Sequence, residues 1–367
     1  MKKQHLSVLY DSQTFEIQRY GGISRYFYEI IKRMSNCDKE VSLLFSHNQY
    51  IKKKDICLYY SFVPFSVFKL FKGAFRFLNR RKTIKALLAK RCLFHPTYYD
   101  AYYLSVLGDS PLVLTVHDMI HEKFPCYFSL KDKTAKNKAL LISKADRIIA
   151  VSHWTKRDLV ELLHVNPDKI DVIHHGINPL KSTYAGLSLP KSYLLYVGER
   201  QKYKNYSRLL HVFVRLQAEQ PELRLICTGK PFKKEELEGL KELGLSDCVS
   251  YVNATDNELG QLYRDARLFV YPSLYEGFGI PILEAYSQEC PVVLSNTSCF
   301  PEVAGDAGEY FNPESEDEMA AAIRRVLTDD ERRLELIRLG NIRVKLFSWD
   351  ETARKTEDTY QKIFDLQ

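Results

Sequence analysis

Short apolar runs rich in β-branched and aromatic residues recur along this chain, each closing on polar residues or glycine and followed by a run of helical character. In the first half they are 5–11, 41–45, 111–118, 146–152 and 169–174, with a helix expected at 23–34. The second half repeats the pattern at 193–198, 223–229, 249–252, 267–272 and 291–294. Such alternation buries a parallel sheet between helices, and polar residues confined to strand carboxyl ends put ligand chemistry along that edge. Residues 178–191 lack periodicity, are bracketed by prolines and read as the linker. A length of 367 residues suits two domains. The expectation is an α/β protein of two doubly wound, Rossmann-like domains facing each other across an interdomain crevice, 1–185 and 186–348, with a last helix in 349–367.

Composition narrows the class. Hydrophobic residues at 45% and charged residues at 27% are those of an ordinary globular protein. Met1-Lys2-Lys3 runs straight into a strand-like segment, and no apolar run approaches membrane-spanning length, so a cytoplasmic location is expected. Eight cysteines without a C-x-x-C pair read as buried thiols, not disulfides or zinc ligands. The formal charge of +7 calls for an anionic partner: lipid, nucleic acid or a phosphorylated substrate.

The chemistry concentrates at 273–285. A strand at 267–272 leads into a loop with Gly277 and Gly279, and Pro281 opens a helix. Glycines let the backbone approach a ligand, and N–H groups at Gly279 and Ile280 meet a phosphate at the positive helix end. Glu276 in the loop and Glu284 one turn into the helix would repel that phosphate unless they accept hydrogen bonds from sugar hydroxyls. A sugar nucleotide supplies both kinds of group.

Glu276 and Glu284, with Gly277-Phe278-Gly279-Ile280 between them, resemble the signature of the large retaining glycosyltransferase family of GT-B fold, the group 1 glycosyltransferases. The set Tyr20-Gly21-Gly22-Ile23-Ser24-Arg25-Tyr26, Thr115-Val116-His117-Asp118 and Tyr275-to-Pro281 is most like that of bacterial polysaccharide mannosyltransferases. The resemblance implies an acceptor-binding first domain, a nucleotide-sugar-binding second domain and a last helix that crosses back to the first. It assigns Glu276 to the transferred hexose, the backbone at Gly277, Phe278, Gly279 and Ile280 to hexose and phosphate, and Glu284 to the ribose diol. Gly21 and Gly22 would abut the donor diphosphate, and Arg25 and His121 the acceptor. His117 would contact sugar hydroxyls near the scissile bond. In 198–205, cations at a strand end suit a diphosphate, and the resemblance assigns Arg200 and Lys204 to the leaving group, with Lys202 as an alternative to Lys204. Residues 252–256 would seat the base.

No Asp-x-Asp occurs, and 316–318 heads a helix, where acids complement its dipole. No metal and no cofactor are therefore expected. The co-substrate is a sugar nucleotide, GDP-mannose first, and the acceptor a glycan or lipid-linked glycan of surface polysaccharide synthesis. Alternatives are a sugar-nucleotide epimerase of the same fold and a non-enzymatic membrane- or nucleic-acid-binding protein.

Residues 62–91 interleave Phe62, Phe65, Phe68, Phe71, Phe75 and Phe77 with nine lysines and arginines, and no carboxylate lies between Asp55 and Asp100. This composition fits either a basic amphipathic segment on an anionic membrane or a core helix with a solvated basic side. Phenylalanines outnumber base-reading residues there, so nucleic acid is not the expected partner.

Overall fold

The computed structural model describes residues 6–180, 186–200 and 202–365, with side chains through residue 363. The expected strand start at His5, residues 181–185 of the expected linker and Gln201 of the cationic loop lie outside them. The chain divides into two compact units, 1–176 with 348–367, and 177–347.

In the first unit the parallel strands are β1 (Ser7–Tyr10), β2 (Asp38–Val41), β5 (Leu93–His95), β6 (Val113–Val116), β7 (Arg147–Ala150) and β8 (Ile170–Val172), and a short pair is made by β3 (Phe45–Ser46) and β4 (Ser61–Phe62). The orders β2-β1-β5 and β6-β7-β8 are joined by a parallel bridge from Phe94 to Leu112. The expected strand at 41–45 is divided between β2 and β3. As the edge strand, β2 tolerates exposed Asp38 and Glu40 that a central strand would not. From β1 the chain steps outward to β2 and then returns past β1 to β5, so the carboxyl ends of β1 and β5 form a topological switch point.

The final helix, Trp349–Asp365, completes this unit. Trp349, Ala353, Tyr360 and Ile363 enter the core with Val8, Tyr10, Phe27 and Ile30, and burial of a large side chain of this kind contributes about 1.5–3 kcal/mol. Polar bonds fix its register. Glu357 accepts from the backbone N–H of Ser35 and Asn36 at 2.9 and 2.8 Å, and Asp171 accepts from Thr359 and Lys362 at 3.0 and 2.6 Å. At its start only a glycine fits beneath, because a Cβ on Gly176 would stand 2.1 Å from the backbone nitrogen of Trp349.

The second unit is one parallel sheet of order β11-β10-β9-β12-β13-β14, where β9 is Tyr193–Tyr196, β10 Arg224–Cys227, β11 Val249–Tyr251, β12 Leu268–Tyr271, β13 Val292–Ser295 and β14 Gly308–Phe311. Here the switch point lies between neighbours β9 and β12, paired through Leu194–Leu268 and Leu195–Phe269. Helices Tyr206–Glu219 and Glu316–Thr328 cover one face with Leu209, Phe213 and Ile323. The unit starts ahead of the expected 185/186 boundary because the linker's flanks are tied to it. Gln288 donates to the Leu180 carbonyl at 2.9 Å, and Gln261 exchanges two 3.2 Å bonds with the backbone of Leu187.

All eight cysteines are free thiols. Cys57 and Cys248 are half-buried, and Cys126 is exposed, exceptions to the expected burial; Cys126 lies in the short turn Pro125–Tyr127, which buries none of its residues. Among the described residues no helix is long and apolar enough to cross a membrane.

Candidate functional site

At the switch point of the second unit, the loop after β12 brings in Glu276 and the turn Lys202–Lys204 after β9 brings in Lys204. The Lys204 ammonium donates to Glu276 Oε1 at 2.5 Å, with only 17% and 10% of the two side chains exposed. Glu276 is held from behind, its N–H on the Ser298 hydroxyl at 3.2 Å and its carbonyl accepting from the Cys299 thiol, also at 3.2 Å. Lys204 also stands 5.9 Å from the Tyr271 ring centroid.

Gly279, at φ 90°, caps the helix Ile280–Ser287. That left-handed conformation turns the loop sharply onto the helix axis. Pro281 occupies the second helical position, not the first as expected, and carries no N–H, while Ile282 bonds back to the Gly279 carbonyl at 3.0 Å. Ile280 keeps its N–H at the open, positive end. Glu284 is buried one turn further in, and its Oε2 accepts from the Tyr263 hydroxyl at 3.5 Å. Phe278 is buried, its ring 5.8 Å from that of Phe347.

Arg200 and Lys204, expected to act as a pair, are committed to different carboxylates. Arg200 Nε donates to Glu236 at 2.7 Å, and its Nη2 donates to the carbonyls of Lys230 and Pro231 at 2.7 and 3.1 Å. Phe232 lies under the guanidinium at 4.6 Å. Burial opposes the charge, and Glu236 overrides that cost and holds its pKa above the ordinary arginine value. Nη1 is buried and has no partner among the described residues. A cavity of about 410 Å³ lined by Arg200, Lys202, Asn205, Tyr206 and Glu236 adjoins it. Beside this loop, Gly229 lies so near the preceding turn that a Cβ would stand 2.5 Å from the Gly198 carbonyl oxygen. The expected base-binding segment 252–256 leads into the helix Asp256–Asp265, which supplies Tyr263 to Glu284.

In the first unit, His117 follows β6 and is buried, its backbone N–H on the Tyr99 hydroxyl at 3.0 Å. Its ring meets Tyr26 edge-on at 5.2 Å and lies parallel to His175 at 5.9 Å. Nε2 has no partner among the described residues. Burial, then His95 and Lys138, lower its pKa to about 3, so at neutral pH it is an uncharged imidazole that donates or accepts but does not act as a cationic acid. A buried chain runs beneath it: the Tyr10 and Tyr360 hydroxyls at 2.7 Å, Tyr360 to His95 at 2.6 Å, His95 to Thr115 at 2.9 Å and Thr115 to Tyr26 at 3.2 Å.

Gly21 caps the helix Gly22–Arg33, with Arg25 in its first turn bonded through its N–H to the Gly21 carbonyl at 3.0 Å. The Gln18 side chain lies over Gly21 and accepts the Ser24 N–H at 2.9 Å. His121 stacks on Phe128 at 3.8 Å and stands 3.5 Å from Asp132. Sequence reasoning missed Ser298, Cys299, Tyr263, Glu236 and Tyr99. Of these only Tyr99, in the tyrosine-rich 98–103, carried a local signal. It also passed over Tyr26, one turn after Gly22 and within the quoted motif.

The sequence pattern of the family described as "Glycosyltransferase Family 4" matches residues 20–180, and that of "Glycosyl transferases group 1" matches residues 185–341. O-antigen chain mannosyltransferase B of Escherichia coli is 31% identical over 309 residues, 79% of this chain and 80% of that one. O-antigen chain mannosyltransferase RfbU of Salmonella typhimurium is 29% identical over 217 residues, 58% of this chain and 60% of that one. Among solved structures, sucrose-phosphate synthase from Thermosynechococcus elongatus superposes with a TM-score of 0.75 at 21% identity, covering 99% of this chain and 100% of that one. Anabaena HepE, in complex with UDP and glucose, gives 0.76 at 17% identity over 98% and 100%. The architecture is the GT-B fold of two Rossmann-like domains. The chain belongs to the group 1 glycosyltransferases, and within them it is similar to bacterial mannosyltransferases.

Proposed function

We propose that this glycosyltransferase moves mannose from GDP-mannose, with retention of configuration and without a metal, to a hydroxyl of a glycan or lipid-linked glycan in surface polysaccharide synthesis at the cytoplasmic side of a membrane. The observation that carries the reading is the meeting of Lys204 with Glu276 at the β9/β12 switch point, beside a helix N-terminus with Glu284 one turn inside. The names of the two mannosyltransferase relatives support the sugar.

Lys204 and Glu276 neutralise each other. On binding, Lys204 turns to the diphosphate and Glu276 to hexose hydroxyls, while Ile280 N–H points at a phosphate oxygen and Glu284 accepts from the ribose diol. As the C1–O(phosphate) bond breaks, negative charge grows on the departing nucleoside diphosphate, and Lys204 and the helix N-terminus stabilise it. The acceptor hydroxyl forms its bond to C1 from the face the diphosphate leaves, and a phosphate oxygen takes its proton. Arg200 joins the clamp on release from Glu236. His117, uncharged, hydrogen-bonds a sugar hydroxyl, Gly21 and Gly22 approach the diphosphate once Gln18 moves, and Arg25 and His121 serve the acceptor.

Thermal shift against a panel of sugar nucleotides tests the donor, with GDP-mannose expected to raise Tm more than UDP-glucose. Proton NMR of the product then reads the anomeric configuration. An inverted product, or stabilisation by no sugar nucleotide, contradicts the proposal.

A further inference from the structure

The basic segment forms two successive helices, Phe65–Leu70 and Lys72–Ala89. Their arrangement reverses the usual partition. On the longer helix the buried stripe is Asn79, Thr83 and Leu87. Asn79 pins the helix to the chain around β3: its Oδ1 accepts from Leu44 and Phe45 N–H at 2.8 and 3.0 Å, and its Nδ2 donates to Glu16 at 2.8 Å. Phe68 is buried, and Phe75 stacks on Phe45 at 4.6 Å. Ile84 is half-buried, and most other large apolar side chains point to solvent: Leu70 is 76% exposed, Phe71 51%, Phe77 57% and Leu88 68%, with Phe65 and Leu78 also exposed. Phe77, Leu78, Arg81, Lys85 and Leu88 share one face at helical spacing.

The cations sort in the same way. Arg80 pairs with Asp100, Arg76 stands 3.8 Å from Glu16, and Lys82 donates to the Leu43 carbonyl at 2.9 Å, so these three hold the helix in place. Lys69, Lys72, Arg81 and Lys85 are exposed and have no carboxylate partner among the described residues. Beside Arg81 and Lys85 lies an apolar groove of about 510 Å³ lined by Leu44, Leu78, Ile84 and Leu88, with Lys82 also in its wall.

We propose that this face docks on a bilayer containing anionic phospholipid. Leu70, Phe71 and Phe77 enter the interfacial region, the groove takes part of an acyl chain, and Arg81 and Lys85 meet lipid phosphate. Charge complementarity selects this occupant: solvated apolar side chains among exposed cations that have no carboxylate partner among the described residues suit acidic lipid, whereas a second copy would set these same cations against each other. The docking needs no sugar nucleotide and stands apart from the transfer reaction.

The test is co-sedimentation of the full chain with vesicles of phosphatidylcholine alone or with 30% phosphatidylglycerol. Binding is expected only to the anionic vesicles and is released by about 0.5 M salt. Replacing Lys69, Lys72, Arg81 and Lys85 together by glutamine should weaken partitioning by roughly 100-fold or more, at about fivefold per cation, with Tm unchanged. Leu70→Trp reports depth separately, its added emission shifting to the blue on anionic vesicles. Failure of the wild-type protein to sediment with anionic vesicles, equal binding by the quadruple variant, or concentration-dependent dimers that bury this face without vesicle binding would each overturn the proposal.

Discussion

Glu276 and Glu284 stand in one thirteen-residue stretch, 273–285, yet their substitutions should change nucleotide affinity in opposite directions. Glu276 is the partner of Lys204 at 2.5 Å, so it competes with the diphosphate for that ammonium. Glu276→Gln removes the competing charge. Fully exposed pairs contribute up to about 1 kcal/mol, and this largely shielded pair sits at or above that figure. GDP should therefore bind about fivefold tighter to the variant, or at worst equally well. Glu284→Gln removes a carboxylate proposed to accept from the ribose diol, and hydrogen bonds to a charged group contribute about 1.5–3 kcal/mol, so GDP should bind roughly 10- to 150-fold more weakly. GDP-mannose adds the contrast: Glu276→Gln should erase most of its advantage over GDP, because the lost acceptor served the hexose. Isothermal titration of both ligands into the wild type and the two variants supplies all six constants. If Glu276→Gln weakens GDP as much as Glu284→Gln does, the division of labour between the two carboxylates is wrong.

Arg200→Ala should cut turnover while Glu236→Gln leaves donor affinity equal or raised, since Glu236, which also accepts the Lys233 N–H at 2.8 Å, restrains the guanidinium; matching losses of Tm with unchanged kcat in both would make the pair purely structural. Gly279→Ala places a Cβ at φ 90° and 3.1 Å from Ile282 Cδ1, at a cost of about 1–2 kcal/mol for the left-handed conformation, and should lower the melting temperature and donor affinity together; calorimetry and titration matching the wild type would contradict this. His117 titrates near 3 when folded and near 6.5 when unfolded, so its neutral burial supports the fold fully above pH 6.5 and progressively less as pH falls toward 3. His117→Gln should reduce the acid-side slope of stability by up to one proton in urea titrations between about pH 6 and 4, and an unchanged slope would refute the assignment.

The switch-point site was legible because it is built from residue types with few other uses. Glycines before a proline-opened helix, with carboxylates where a phosphate would be repelled, define the loop, and the strand alternation puts ligand chemistry along the carboxyl edge of the sheet. What Arg200 does was not legible. Two cations four positions apart look alike in sequence, and the carboxylate that claims one of them, Glu236, lies on the helix Lys234–Glu242. The linker's attachment was equally hidden, because Gln261 and Gln288 bond backbone atoms and leave no pattern. In the basic segment composition could not show which side is buried, since Asn79 and Thr83 take the buried stripe by satisfying polar groups while Phe77 and Leu88 are left outside.

Turnover of GDP-mannose in the presence of EDTA, wild type against Lys204→Ala, tests the central claim most directly. The wild-type protein should release GDP with chelator present, slowly to water and faster with a lipid-linked glycan acceptor. Lys204→Ala should lower kcat by roughly 100- to 1000-fold, the usual loss when one preorganised stabiliser of developing negative charge is removed, with a smaller change in donor Kd. Release that stops in EDTA and returns with magnesium or manganese, or a Lys204→Ala variant that turns over at the wild-type rate, would contradict leaving-group stabilisation by this lysine.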